Sequence, residues 1–301
     1  MSASALDQFQ AHRTRLFGIA YRMLGTRADA DDVVQDAWLK WATADHAAIQ
    51  TPEAWLVTVT TRLAIDKLRT AQAERQHYVG WWLPEPLVAS ATEETAAHTP
   101  ESLLSHAHDV SLAFLWMLER LGPEERAAFL MREVFEYAYE EIAEILGKTQ
   151  AACRQLVSRA SSKVRDARPR VAVKSDTHWQ LLTRFMEAAR QGDRAAMQAL
   201  FAPDVTARGD GGGKVPSIAK LLQGPSRIAC LYYAMFRRLG AEQVQYRPGL
   251  VNGAPGILRY VNGQLESVQY FEVDGQHILS IYTVRNPDKL AGVPPALRQI
   301  P

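Results

Sequence analysis

Only two cysteines, Cys153 and Cys230, occur in 301 residues, and they stand far apart. That excludes a disulfide framework or a cysteine-rich zinc site and suits a reducing compartment. No apolar run approaches the roughly 20 residues needed to span a bilayer. The first residues, MSASALDQFQAHRTR, lack the apolar core of a signal peptide. A cytoplasmic protein without membrane association is therefore expected. Net charge is almost absent as well, with 34 Lys and Arg against 33 Asp and Glu, so partners must be read from local charge. No internal repeat is visible. What is present is a hydrophobic content of 47%, enough for real cores, and a length suited to two or three domains.

The local charge is uneven. Between Gln76 and Glu119 there is no Lys or Arg, and Glu85, Glu93, Glu94, Glu101, Asp109 and Glu119 give a net charge of −6. From Lys148 to Arg170, seven bases face one acid, a net charge of +6. Helical spacing of apolar residues runs through Leu16, Ile19, Ala20, Met23 and Leu24, then Val33, Val34, Ala37, Trp38 and Trp41, then Trp55 to Leu68. Thr51-Pro52 is a helix start. The acidic stretch, with Pro84, Pro86 and Pro100, has no such period. Helices resume from about 102 to 166. After a second joint at 171–177, two helical segments and a third through IACLYYAMFRRL precede several β-rich runs. Asn262-Gly263 and Asp274-Gly275 punctuate those runs as hairpin turns. The expected fold is multidomain, with an all-α part followed by an α+β part.

Residues 139–165 read YEEIAEILGKTQAACRQLVSRASSKVR. Ile142, Ala143 and Leu146 form an inner face, Gly147 suits a left-handed helix end, and Thr149 can cap the next helix. The three-residue turn fits a helix-turn-helix. Cys153, Leu156, Val157, Ala160 and Val164 form the next inner stripe, with Cys153 a small core residue. Gln150, Arg154, Gln155, Ser158 and Arg159 point outward; Arg and Gln are suited to base edges in a major groove. By itself this pattern also fits an ordinary helical hairpin with a solvated basic face. Ala28–Trp38 carries four acids and no base, either a docking face for a basic partner or a solvated one. The following helix exposes Thr58, Arg62, Lys67 and Arg69, with Trp55 near its start. Bases among hydroxyls and aromatics suit unpaired DNA, although Trp55 equally fits a core.

Together RLFGIAYRMLGTRADADDVVQDAWLKWA, AWLVTVTTRLAIDKLR and the helix-turn-helix resemble the extracytoplasmic-function (ECF) sigma factors of the sigma-70 type. YVGWWLPEP, DGGGK (Asp210–Lys214) and NPDKL (Asn286–Leu290) resemble the subgroup with a fused SnoaL-like C-terminal cone, an α+β domain with a curled antiparallel sheet. The resemblance implies sigma region 2 over 6–76, an acidic linker over 77–105, region 4 over 106–170 and a regulatory SnoaL-like domain over 177–301. It implies polymerase docking by Asp32, Gln35 and Asp36, and −10 recognition by Trp55, Thr58, Arg62 and Arg69. Recognition of the −35 element falls to Gln150, Arg154, Gln155, Ser158 and Arg159. Arg62 stands where many relatives have Asn, so −10 specificity does not transfer. A regulatory contact is expected to join Trp81, Trp82, Leu83, Pro84, Glu85 and Pro86 to Asp210, Gly211, Gly212, Gly213 and Lys214, or to Asn286, Pro287, Asp288, Lys289 and Leu290. The two tryptophans could instead belong to the first domain's own core. The acidic linker, repelled by DNA, suits a basic path through the polymerase.

Core RNA polymerase and promoter DNA are the implied partners, and the extension would stand in for a separate anti-sigma factor. The free protein is expected to be a monomer, without metal or other cofactor. Asp204, Asp210 and His277 are acid/base candidates in the last domain, but DGGGK lacks a base beside a nucleophile and P-loop spacing, so no enzymatic activity is expected. A small-molecule ligand in that domain stays open. The alternative is a small-molecule sensor or enzyme carrying a helix-turn-helix that binds DNA without polymerase.

Overall fold

The computed structural model describes residues 5–90, 111–165 and 173–299. These fall into two compact units, 5–77 with 114–165, and 78–90 and 111–113 with 173–299. Glu93, Glu94, Glu101 and Asp109 of the acidic stretch, and Arg168 and Arg170 of the basic one, lie outside the described residues.

The first unit is helical among the described residues. Helices α1 (Ala5–Leu24), α2 (Arg27–Ala42) and α3 (Pro52–Arg75) come first. After α4 (Leu112–Leu118) follow α5 (Pro123–Glu133), α6 (Tyr139–Leu146) and α7 (Gln150–Arg165). The apolar stripes form the core: Leu16, Ile19, Met23, Leu56 and Leu68 are fully buried. Trp41 is equally buried, and its indole N–H donates to the carbonyl of Ala5 at 2.8 Å. Thr26 caps α2 by accepting the N–H of Asp29. A charged knot joins α1 and α3 to α5. Glu119 accepts from the buried Arg126 at 2.8 Å and from Arg75. Those arginines also bond the carbonyls of Met23 (2.8 Å) and Leu24 (2.6 Å) at the end of α1. Within α6, Ile145 is buried beside Ile142 while Leu146 is half-exposed, so the inner face is one residue earlier than its spacing suggested. Both offsets are on one helix face; the packing of α6 on α3, α5 and α7 selects i+3.

In the second unit α8 (Ser175–Gln191), α9 (Arg194–Ala199) and α10 (Pro225–Leu239) pack on a seven-stranded sheet. Its strands are β1 (Val88–Ser90), β2 (Phe201–Asp210), β3 (Leu222–Gln223), β4 (Val244–Val251), β5 (Ala254–Val261), β6 (Gln264–Val273) and β7 (Ile278–Val284), in the order β1-β4-β5-β6-β7-β2-β3. The turns at Asn252-Gly253 and Asn262-Gly263 both place Asn at positive φ (52° and 51°), the primed-turn geometry that matches strand twist. Pairing is antiparallel except that β2 runs parallel to β7. A parallel neighbour needs a long crossover, and the chain between the two strands, including α10 and the β4–β6 meander, supplies it. Irregular pairing in β2, between Arg259 and Tyr260, and between Glu272 and Val273, bends the sheet. The interior is filled: the ring of Phe185 lies 5.0 Å from Tyr232, 5.2 Å from Phe271 and 6.0 Å from Phe201. A short helix, α11 (Pro287–Leu290), follows β7.

Candidate nucleic-acid interface and connector site

The turn between α6 and α7 is Gly147-Lys148-Thr149. Gly147 takes φ 63°, ψ 38°, a left-handed conformation that a side chain would oppose. Thr149 Oγ1 accepts the N–H of Ala152 at 3.2 Å. These two caps fix the angle at which α7 leaves. Cys153, Leu156, Val157, Ala160 and Val164 are buried, and burial pushes the Cys153 thiol up, away from thiolate chemistry. Arg154, Gln155, Ser158 and Arg159 are exposed on the opposite face, with Gln150 half-buried at its start. Arg154 lies 5.2 Å above the Tyr139 ring and donates to Gln150 at 3.3 Å, which pre-orders both side chains.

The acidic face of α2 exposes Asp32, Gln35 and Asp36, with Leu39, 56% exposed, on the same helix. Lys67 of α3 reaches Asp32 at 2.7 Å and Asp29 at 3.2 Å. Burial acts to lower the Lys67 pKa, but hydrogen bonds to Asp32 and Asp29 outweigh it and hold the ammonium above its ordinary value. Along α3, Trp55 is half-buried with its ring 5.4 Å from Trp41, so it serves the core and still borders solvent. Thr58 bonds its own helix, at the carbonyl of Ala54. Trp55 and Thr58 share a groove of about 570 Å³ with the 44–51 loop and Glu144. Arg62 donates from Nε to the carbonyl of Ile145 (2.8 Å) and from Nη2 to that of Glu144 (2.9 Å). Those carbonyls end α6, where the helix dipole favours a cation. Arg69 pairs with Asp66 at 2.8 Å and with Glu124 at 3.0 Å, and Glu124 also holds Lys148 at 3.1 Å. Neither the Arg62 contacts nor the Arg69–Glu124 pair had a local signature, because their partners are 55 to 83 residues away in sequence.

In the second unit, residues 78–90 are bound to the sheet domain around Asp210. That carboxylate is fully buried. It accepts from the Tyr78 hydroxyl (2.6 Å), the Leu83 N–H (2.9 Å), Lys289 Nζ (2.7 Å) and the Gly212 N–H (3.0 Å). Lys289 also donates to the carbonyl of Leu83 and lies 4.1 Å over the ring of Trp82. Asn286 donates to the Tyr78 oxygen at 2.9 Å. Burial and then the Asp210 carboxylate push the Tyr78 phenol far up, so it stays a donor. Leu83, Pro84, Glu85 and Pro86 are all buried, while the half-buried Trp81 has Arg208 at 5.5 Å over its ring. Both tryptophans thus lie against cations of the sheet domain.

The glycine run is shaped by close approach. A Cβ on Gly212, which has φ 63°, would stand 2.5 Å from Asn286, and Gly211 and Gly213 lie against Val215 and Val79. Lys214 pairs with Asp288 at the surface (2.6 Å), Pro287 is exposed, and Leu290 is buried. Further on, Leu87 and Asn252 exchange two hydrogen bonds and Val88–Ser90 pairs with β4. Ser111, where the described chain resumes, bonds the Tyr270 hydroxyl. Tyr78 heads the stretch YVGWWLPEP but had no role assigned; Arg208, Asn252 and Ser111 were missed in the sequence, and of these only Asn252-Gly253 carried a signal, as a turn. Asp204 is exposed, Asp210 lies under the connector, and His277 sits in the β6–β7 turn 3.7 Å from Asp274. No helix of the described residues is long and apolar enough to cross a membrane.

A helical module with an acidic face, joined on one chain to a basic helix-turn-helix, defines a sigma-70-type factor. Residues 8–74 match the family model of sigma-70 region 2, and residues 111–164 match that of sigma-70 region 4. The chain is 35% identical over 299 residues to the ECF RNA polymerase sigma factor SigJ of Mycobacterium tuberculosis, covering 96% of this chain and 94% of that protein. It is 29% identical to the probable ECF RNA polymerase sigma factor SigI of the same species, covering 94% and 93%. The crystal structure of M. tuberculosis SigJ superposes with a TM-score of 0.78 at 33% identity, covering 96% of this chain and 99% of that one. The chain belongs to the ECF RNA polymerase sigma factors. As such it associates with core RNA polymerase and promoter DNA in transcription initiation, which decides against a helix-turn-helix protein acting without polymerase.

Proposed function

We propose that the second unit restrains this sigma factor by gripping the connector between its two promoter-reading parts, in place of a separate anti-sigma factor. The observation that carries this is the buried Asp210–Lys289 pair closed around Tyr78, Trp82 and Leu83. The connector leaves α3 and returns to α4, and both described ends of it are bonded into the sheet domain.

Restraint follows from size. Elements centred about 25 base pairs apart lie roughly 85 Å apart on B-DNA. A compact unit of this length has a radius of gyration of about 14 Å. With α3 packed on α6 it is too small to place α3 at −10 and α7 at −35 together. In that packing Arg62 is engaged by the end of α6 and Arg69 by Glu124. In this reading Gln150, Arg154, Gln155, Ser158 and Arg159 meet the −35 element. Trp55, Thr58, Arg62 and Arg69 meet the −10 strand after opening, and Asp32, Gln35 and Asp36 dock on the polymerase. Opening requires slack in the connector, which the second unit takes up.

The test is in vitro transcription with core polymerase, comparing the full chain, a Trp82→Ala/Leu83→Ala variant and a chain ending at residue 170. Both altered proteins should give more promoter-dependent transcript. An unchanged or lower yield from both would remove the proposal.

A further inference from the structure

We infer that the second unit binds a small carboxylate with an apolar body, in the cavity beside α11. Between sheet and helices lies the apolar Phe185 cluster. A separate cavity of about 420 Å³, of small-molecule size, is bounded by the β5–β6 hairpin, α11 and the tail after it. Val215, Val261, Leu265 and Leu290 give it apolar walls, and Arg285, Arg298 and Glu266 give it charge.

The charges do not cancel there. Glu266 is held on one oxygen by Arg259 at 2.8 Å and on the other by Arg285. Arg298 bonds the neutral carbonyls of Val293, at 2.6 Å, and Ala291. One carboxylate is thus shared by two guanidiniums, the guanidinium of Arg298 is held on neutral carbonyls, and the Nε–H of Arg285 is buried with no acceptor. Planar guanidinium donors with surplus positive charge select a carboxylate, and the apolar walls select a hydrophobic body behind it. A compact inorganic anion would leave those walls wet.

The cavity also touches the latch. Pro287 and Leu290 line it, whereas Asn286, just before Pro287, and Lys289, just before Leu290, hold Tyr78 and Leu83. A ligand there bears on the same helical turn that grips the connector. This consequence rests on the restraint proposed above; the binding site does not.

The experiment is calorimetric titration of the full-length protein with sodium butyrate, octanoate, benzoate and phenylacetate, using octan-1-ol, octylamine and inorganic phosphate as controls. At least one carboxylate should bind with a Kd tighter than about 1 mM and at least about tenfold tighter than every control. Arg298→Ala and the cavity-filling Ala291→Phe should each weaken it about tenfold or more, while Arg237→Ala on the helical face should leave it unchanged. Comparable melting temperatures of the variants guard against unfolding, and Ala291 is exposed, so one variant at least should fold. The site is overturned if no carboxylate binds, if octanol, octylamine or phosphate binds equally well, or if binding survives both substitutions. Hydrogen exchange of residues 78–90 should shift on binding; binding without that shift overturns the link to the connector.

Discussion

At the residue scale, the second unit carries a buried ion pair that meets the connector. Asp210 is fully buried and Lys289 nearly so. Asp210→Asn would remove the carboxylate with which the ammonium of Lys289 is paired inside the protein, which costs about 3–5 kcal/mol. For a unit of this size that lowers Tm by about 6–15 °C, measured by calorimetry on the full chain. Adding Lys289→Met should restore part of the loss, because the stranded charge is gone. A loss under about 1 kcal/mol would mean that water reaches the pair. A second residue gives a pH signature. Glu272 is half-buried, and its desolvation raises the carboxyl pKa against the lowering effects of the Tyr282 and Ser280 hydroxyls and Arg208. A raised acid favours the fold fully below its unfolded pKa, and that contribution fades as pH rises through the folded value. Glu272→Gln should therefore gain stability relative to the parent from about pH 4.5 upward, levelling off above the folded pKa. A difference in melting temperature that stays flat with pH would contradict the burial argument.

At the element scale, α7 presents a face whose orientation depends on two small features at its start. Thr149→Ala removes the cap bond to Ala152 and should cost about 1 kcal/mol of helix stability. Arg154→Ala removes an exposed donor that can reach a guanine edge, and should weaken −35-dependent binding by about 1–3 kcal/mol. Gel-shift titrations of polymerase holoenzyme against intact and scrambled −35 sequences check this. Equal loss on both would make Arg154 a phosphate contact only. Much at this scale was legible. Gly147, Thr149 and the buried stripe of α7 follow from local backbone chemistry and a period of 3.6 residues, as does the Asn262-Gly263 turn from its demand for positive φ. The parallel pairing of β2 with β7 was not legible, because it joins residues more than 70 apart and leaves no local period. The choice of Ile145 over Leu146 was equally hidden, since both offsets fit one helix face.

At the scale of the whole molecule, the restraint proposed above predicts that α3 and α7 can separate, and one of the contacts between them is weak. Glu124 bonds Arg69 of α3 and Lys148 beside α7, and all three side chains are about a third to a half exposed. Exposed pairs contribute about 0–1 kcal/mol each. Glu124→Lys removes both pairs and should raise the open fraction by up to about thirtyfold from that loss, more at low salt than at high. Energy transfer between dyes on α3 and α7, recorded across ionic strength, measures this. An unchanged transfer efficiency would place the holding force in the buried Arg75–Glu119–Arg126 knot instead.

The sequence by itself determined the class of this protein. Its local chemistry specifies an acidic amphipathic helix, a capped helix-turn-helix with an outward basic face, and a β-rich third part punctuated by Asn-Gly and Asp-Gly. Each feature arises from interactions within a few residues, and such interactions are written in spacing. The family resemblance led to the expectation that YVGWWLPEP meets DGGGK or NPDKL; tertiary structure alone decided that Asp210 and Lys289 both hold it, that Arg62 is occupied by the end of α6, and that a cavity lies beside α11. Those contacts join residues from about 80 to more than 200 positions apart. Only the burial of one whole surface against another brings such residues together, and no spacing along the chain encodes it.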